Sequence, residues 1–140
     1  MIPVVVDASV AAKWVFQEPG SAAAARLRDP SYDLIAPDLM ALEVANAIWK
    51  RVRSGRLPVD DGRRAVEELK AAPVRWRRDR PLVATAWKIT ARWNRSVYDC
   101  LYLALAALVH ARLVTADRLF YDVMIGTELG GHMLWIEEIE

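Results

Sequence analysis

Apolar residues recur along this chain in two alternating rhythms, short β-branched runs and longer stretches at helical spacing. Ile2 to Val6 is a run of the first kind, closed by Asp7, and Ala8, Val10, Ala11 and Trp14 follow it at helical spacing. This reads as a buried parallel strand feeding a helix over Ala8 to Phe16, which Glu18-Pro19-Gly20 stops. Ser21 offers an N-cap to an Ala-rich segment up to Arg28. Leu34-Ile35-Ala36 is a second strand ended by Pro37, and Asp38 is placed to cap a helix from Leu39 to Arg53 that Ser54-Gly55 terminates. At about 100° per residue, Glu43, Asn46 and Lys50 form one narrow polar stripe on that helix, which is therefore expected to be buried on most sides.

Val59 to Ala72 reads as a more exposed helix closed by Pro73, and Val74-Arg75-Trp76 as a third strand. A helix with proline in its first turn runs from Pro81 to Trp93. Asn94-Arg95 makes the turn into Ser96 to His110, a nearly all-apolar helix whose single acid is Asp99. Leu113-Val114-Thr115 is a strand, Ala116-Asp117 its exit, Arg118 to Glu128 a helix and Met133 to Ile136 a last strand. Strands alternating with helices predict a mainly parallel sheet of about five strands, covered on both faces and joined by right-handed crossovers.

Composition narrows this further. The 140 residues suit one domain spanning 1–140, and 54% hydrophobic with 26% charged residues supplies a generous core. One cysteine, Cys100, excludes an internal disulfide, and with two histidines it cannot build a zinc site of usual spacing. A bound metal would have to be held by carboxylates. The apolar stretch Cys100 to Val109 is well short of the ~20 residues that cross a bilayer. Asp7 and Lys13 interrupt any signal-peptide core, so a cytoplasmic protein with no membrane association is expected. A net charge of +1 gives no bulk argument for nucleic-acid binding.

Four acids stand out by position: Asp7, Glu43, Asp99 and Asp117. Taken singly, Asp7 and Asp117 can each be an N-cap after a strand, and Ser96-Val-Tyr-Asp99 matches a capping box. Glu43 lies inside a helix and needs a cation or hydrogen-bond partner, for which Asn46 and Lys50 on its own face are candidates. Taken together, Asp7 and Asp117 leave parallel strands at one edge of the sheet, where Asp99 can join them. Clustered carboxylates raise one another's pKa unless cations neutralise them, and Mg²⁺ or Mn²⁺ suits such ligands and phosphate oxygens. The chemistry this favours is phosphodiester hydrolysis by metal-activated water.

Val-Val-Val-Asp7-Ala-Ser9, Glu43-Val-Ala-Asn46-Ala, Val-Tyr-Asp99-Cys-Leu-Tyr-Leu-Ala-Leu-Ala and Leu-Val-Thr115-Ala-Asp117 resemble the four signature segments of PIN-domain ribonucleases. Length and wording are most similar to the VapC-type toxins of toxin–antitoxin systems. The resemblance implies a three-layer α/β/α Rossmann-like PIN domain and Mg²⁺- or Mn²⁺-dependent endoribonuclease activity. It also implies a homodimer and inhibition by a cognate VapB-type antitoxin. By matching positions, Asp7, Glu43, Asp99 and Asp117 become the catalytic, metal-binding carboxylates. Ser9 and Thr115 would orient an acid or a water, with Asn46 in support. The stretch from about Leu57 to Arg95 carries no signature, and Asp122 reads as surface.

Lys50 is the favoured substrate contact among basic residues that include Arg51, Arg53, Arg56, Arg75, Arg77, Arg78 and Arg80; these either track RNA phosphates or are solvated charge. Trp14, Trp49 and Trp87 are expected in the core. Trp76, between Arg75 and Arg77, stays open, and His110 and His132 lack an acid partner in sequence. A receiver-like domain would want an acid pair after the first strand, where Ala8 and Ser9 stand. A PIN domain acting in RNA processing, or binding RNA without catalysis, is the closer alternative to a toxin.

Overall fold

The computed structural model describes residues 1–140. Five strands form one parallel sheet in the order β3-β2-β1-β4-β5: β1 Ile2–Val6, β2 Tyr32–Pro37, β3 Val74–Arg77, β4 Arg112–Thr115 and β5 Met133–Trp135. β1 lies at the centre because it is apolar on both faces: Val4, Val5 and Val6 are all buried, and β2 and β4 flank it. Seven α-helices surround the sheet: α1 Ala8–Val15, α2 Ser21–Arg26, α3 Leu39–Arg53, α4 Val59–Ala71, α5 Val83–Trp93, α6 Val97–Leu108 and α7 Arg118–Ile125. α1 to α4 pack on one another and α6 packs along β1, β2 and β4 with α5 against it, giving the expected three layers. The core is continuous through all of them, with Tyr102, Phe120, Leu103 and Leu113 among its largest members.

α6 is the most buried helix, and every residue from Cys100 to Ala106 is enclosed. Its unbroken apolar run fits the side of a sheet rather than a surface. Asn94 ends α5 in the left-handed conformation at φ 55°, a role asparagine fills with little strain, and this turns the chain sharply into α6.

Several local expectations are corrected. Ser21 does not cap α2; its hydroxyl donates to the Phe16 carbonyl and accepts from the Glu18 N–H, fastening the turn before the helix. Asp38 makes no cap hydrogen bond to α3. Asp79, arriving from β3, accepts the Leu39 N–H at 3.0 Å instead, because Asp38 already has helical backbone angles. α3 is not buried on most sides: Leu42 is 70% and Trp49 52% exposed, and of its residues only Met40, Val44 and Ile48 are fully enclosed. Trp87 is likewise exposed on α5, whereas Trp14 is partly buried and its indole N–H reaches the Ala24 carbonyl. α7 stops at Ile125 rather than Glu128, where Thr127 and Gly130 carry the chain into a 3₁₀ turn, and β5 stops at Trp135 rather than Ile136.

Candidate active site

In parallel α/β sheets the carboxyl ends of the strands form the natural crevice, and β1 and β4 deliver Asp7 and Asp117 there. Asp7 still belongs to the ladder, its N–H donating to the Val114 carbonyl at 3.1 Å, so its carboxylate is held rigidly and is only 6% exposed. The Ser9 hydroxyl donates to Asp7 Oδ2 over a short contact, and Thr115 Oγ1 donates to the same oxygen at 3.1 Å. Each hydroxyl also accepts a main-chain proton from the exit of β4, Ser9 from Ala116 at 3.0 Å and Thr115 from Asp117 at 3.1 Å. Two hydroxyls thus stitch the ends of β1 and β4 together around one carboxylate. Burial lifts Asp7 to about 6, the Ser9 and Thr115 hydrogen bonds oppose the rise, and the negative charges of Asp99 and Glu43 reinforce it.

Glu43 finds its partner across the sheet edge: the Tyr102 hydroxyl of α6 donates to its Oε1 at 2.5 Å. This corrects the expectation that Asn46 or Lys50 would serve. Both are exposed, and neither makes a hydrogen bond or ion pair, because their stripe on α3 turns outward beyond Glu43. Partial burial raises Glu43, Tyr102 opposes this, and Asp99 and then Asp79 add to it. Asp99 occupies the first turn of α6, its N–H donating to Ser96 Oγ at 3.0 Å. This is one half of the expected capping box, since the Asp99 carboxylate turns to Arg95 Nη2 at 3.3 Å. Burial raises Asp99, Arg95 pulls it down, and Asp117 pushes it up. Asp117 caps α7 by accepting the Phe120 N–H at 3.1 Å.

Mutual repulsion therefore links Asp7, Glu43 and Asp117 through Asp99, with one guanidinium, Arg95, among four carboxylates. No three acidic, histidine or cysteine side chains close into a ready cage. Magnesium does not require one, because it takes one or two carboxylates and keeps several waters. The hydrogen bonding favours such an ion. Every protein contact to Asp7 falls on Oδ2, to Glu43 on Oε1, to Asp99 on Oδ2 and to Asp117 on Oδ1. Each carboxylate keeps its other oxygen without a protein partner, a donor set that fits a hard divalent cation.

Reasoning from sequence missed Tyr102, Arg95 and Asp79. Tyr102 was legible as a hydroxyl inside an apolar helix, which needs a partner, and Arg95 as a cation four residues before Asp99. Asp79 gave no signal, because it acts on a helix 40 residues earlier. Among the basic candidates, Arg51 is tied to Glu18 at 2.6 Å and lies over the Phe16 ring, and Arg75 grips Asp33 through two bonds; both are structural. Asp122 pairs with Arg118 on the surface. His110 and His132 line a cavity of about 490 Å³ at the opposite, amino edge of the sheet, with Pro3 and Arg112 from the starts of β1 and β4.

These features define a class, that of Rossmann-like α/β domains centred on a carboxylate cluster with hydroxyls, rather than a histidine or thiol, beside it. The PIN domain family matches residues 4–125, and the chain belongs to that family, among its VapC-type members. Ribonuclease VapC3 of Pyrobaculum aerophilum is 36% identical over 118 residues, 81% of this chain and 88% of the relative. Ribonuclease VapC9 of Mycobacterium tuberculosis is 33% identical over 114 residues, 81% and 85% of the two chains. Two crystal structures share the fold. PAE2754 of Pyrobaculum aerophilum has a TM-score of 0.74 at 22% identity, covering 97% of this chain and 85% of its own. VapC20 of Mycobacterium tuberculosis, a sarcin-ricin loop cleaving toxin, has a TM-score of 0.66 at 18% identity, covering 85% and 93%.

Proposed function

We propose that this protein is an endoribonuclease that hydrolyses RNA phosphodiester bonds with Mg²⁺ or Mn²⁺, and that it is the toxin of a toxin–antitoxin pair. The supporting observation is the four-carboxylate edge, in which each acid keeps one oxygen free, taken with relatives that are ribonucleases by name. Asp7, Glu43, Asp99 and Asp117 hold the ion. When bound, it supplies Lewis acidity, making a water nucleophilic at neutral pH and offsetting charge on the phosphate. Ser9 and Thr115 fix the Asp7 carboxylate so that Oδ1 faces the site, and Tyr102 does the same for Glu43. Arg95 holds Asp99 and lowers the repulsion within the cluster. Asn46 and Lys50, exposed on α3 beyond Glu43, face incoming substrate rather than the acids.

The proposed partners are a VapB-type antitoxin and a second copy of the chain, in the cytoplasm. Large apolar groups left exposed, Leu42 and Trp49 on α3 among them, support a protein that works in company. No helix is long and apolar enough to cross a membrane.

Cleavage of a broad RNA panel by the purified, antitoxin-free chain tests the reading. Activity is expected with Mg²⁺ or Mn²⁺ and none in EDTA, and inactivity under every metal condition counts against it. Asp7→Asn removes the charge and keeps the shape, so it should abolish both cleavage and growth inhibition on expression. Undiminished toxicity of that variant would remove Asp7 from the site.

A further inference from the structure

Three arginines at the end of β3 are left without partners. Arg75 is bonded to Asp33, whereas Arg77, Arg78 and Arg80, close together in sequence and all exposed, make no ion pair or side-chain hydrogen bond. Beside them, Trp76 is half-buried on the opposite side of the strand from Arg75 and Arg77. It forms one wall of a cavity of about 290 Å³ that Arg77, Arg78, Pro81, Leu105 and Leu108 also line. A second cavity, lined by Asp38, Asp79 and Arg80, shares Arg78 and Pro81 with the first, so the two make one trough along this edge. The trough is tied to the acidic crevice. The Asp38 N–H donates to the Arg77 carbonyl at 2.8 Å, Asp79 caps α3, and the charge of Asp79 is felt at Glu43 one turn further along.

We propose that this trough is a binding site for unpaired nucleotides of the RNA substrate, with Trp76 stacking a base and Arg77, Arg78 and Arg80 holding flanking phosphates. The proposal rests on the ribonuclease reading and adds to it a substrate groove outside the four acids, built on Trp76 and the arginines after it. Single-stranded nucleic acid is gripped by a cationic groove combined with an aromatic ring on which a base can lie, whereas bases stacked inside a duplex cannot reach such a ring. Nearly 300 Å³ sits at the small end of ligand pockets and suits one base with its sugar. Three arginines against Asp38 and Asp79 leave the trough positive by one, and Asp79 spends an oxygen on the Leu39 N–H.

The experiment measures binding of a fluorescently labelled, mixed-sequence single-stranded RNA to the full chain in EDTA by anisotropy, as a function of salt. Trp76→Ala is expected to weaken binding about tenfold and Trp76→Phe by no more than about twofold, because either aromatic face can stack. Arg78→Gln should flatten the dependence of log K on log salt by about one. Binding to the fully paired duplex should not respond to Trp76. The groove is overturned if Trp76→Ala, with native circular dichroism, binds and cleaves single strands like the wild type. It is also overturned if that substitution instead changes the oligomer mass in sedimentation, which would assign the trough to a second copy of the chain. Wild-type protein that neither binds nor cleaves RNA would overturn the ribonuclease reading, and the groove with it.

Discussion

Asp7 holds its proton more tightly inside this protein than in water, and that sets how stability depends on pH. The folded value, about 6, lies above the unfolded value of 3.8, so the folded chain binds the extra proton. The cost of burying the charge is therefore absent below the unfolded value, grows as pH rises from 3.8 to about 6, and is fully present above that. By linkage, Asp7 destabilises the metal-free protein by about 3 kcal/mol at neutral pH. Asp7→Asn should accordingly raise the urea midpoint in EDTA at pH 7.5 and leave it nearly unchanged at pH 3.5; equal effects at both pH values would contradict this assignment. Tyr102→Phe removes the one hydroxyl that meets Glu43, and at about 1–2 kcal/mol it should lower the melting temperature by several degrees. That bond was hidden from the sequence for a simple reason. Its two ends are 59 residues apart, on helices that cover opposite faces of the sheet.

At the level of elements, the hydrophobic rhythm carried nearly everything that depends on burial. The five strands and the long helices sit where the β-branched runs and helical spacings placed them, because each must hide an apolar face. Caps and exposed faces were less legible, since they depend on what a neighbour brings. α3 shows both cases. Its apolar residues cover more of its circumference than the sheet can bury, so Leu42 and Trp49 are left outside, and its cap comes from Asp79 rather than the adjacent Asp38. Asp79→Ala should therefore cost about 1 kcal/mol in chemical denaturation while Asp38→Ala costs a few tenths at most. The reverse order would restore Asp38 as the cap. Among the candidate-site residues, the acids at strand and helix ends were readable from their positions and Arg95 from its spacing to Asp99, while the partner of Tyr102 required the fold. Gly130 is a further case of context. A Cβ there would lie 2.1 Å from the Ile125 carbonyl oxygen, so Gly130→Ala should shift the turn that leads into β5 and destabilise by about 2 kcal/mol or more, visible as a lowered melting temperature.

Across the whole molecule, the parallel sheet joins distant parts of the sequence. β1 is laid down first in the chain yet has β4 as one of its two neighbours, and Asp7 takes one of its hydrogen bonds from Thr115, 108 residues later. A chain growing on the ribosome thus exposes the Asp7 segment long before the strand that completes its surroundings has been made. Contacts of this span form late. Residues 1–110 translated alone should lack the central pairing and show little native circular dichroism. Full-length chains should gain it only after the segment around Asp117 has left the exit tunnel. A nuclease built this way is harmless to its own message and to the ribosome synthesising it until β4 has emerged, since Asp7 lacks the neighbour strand and the Thr115 hydroxyl before then.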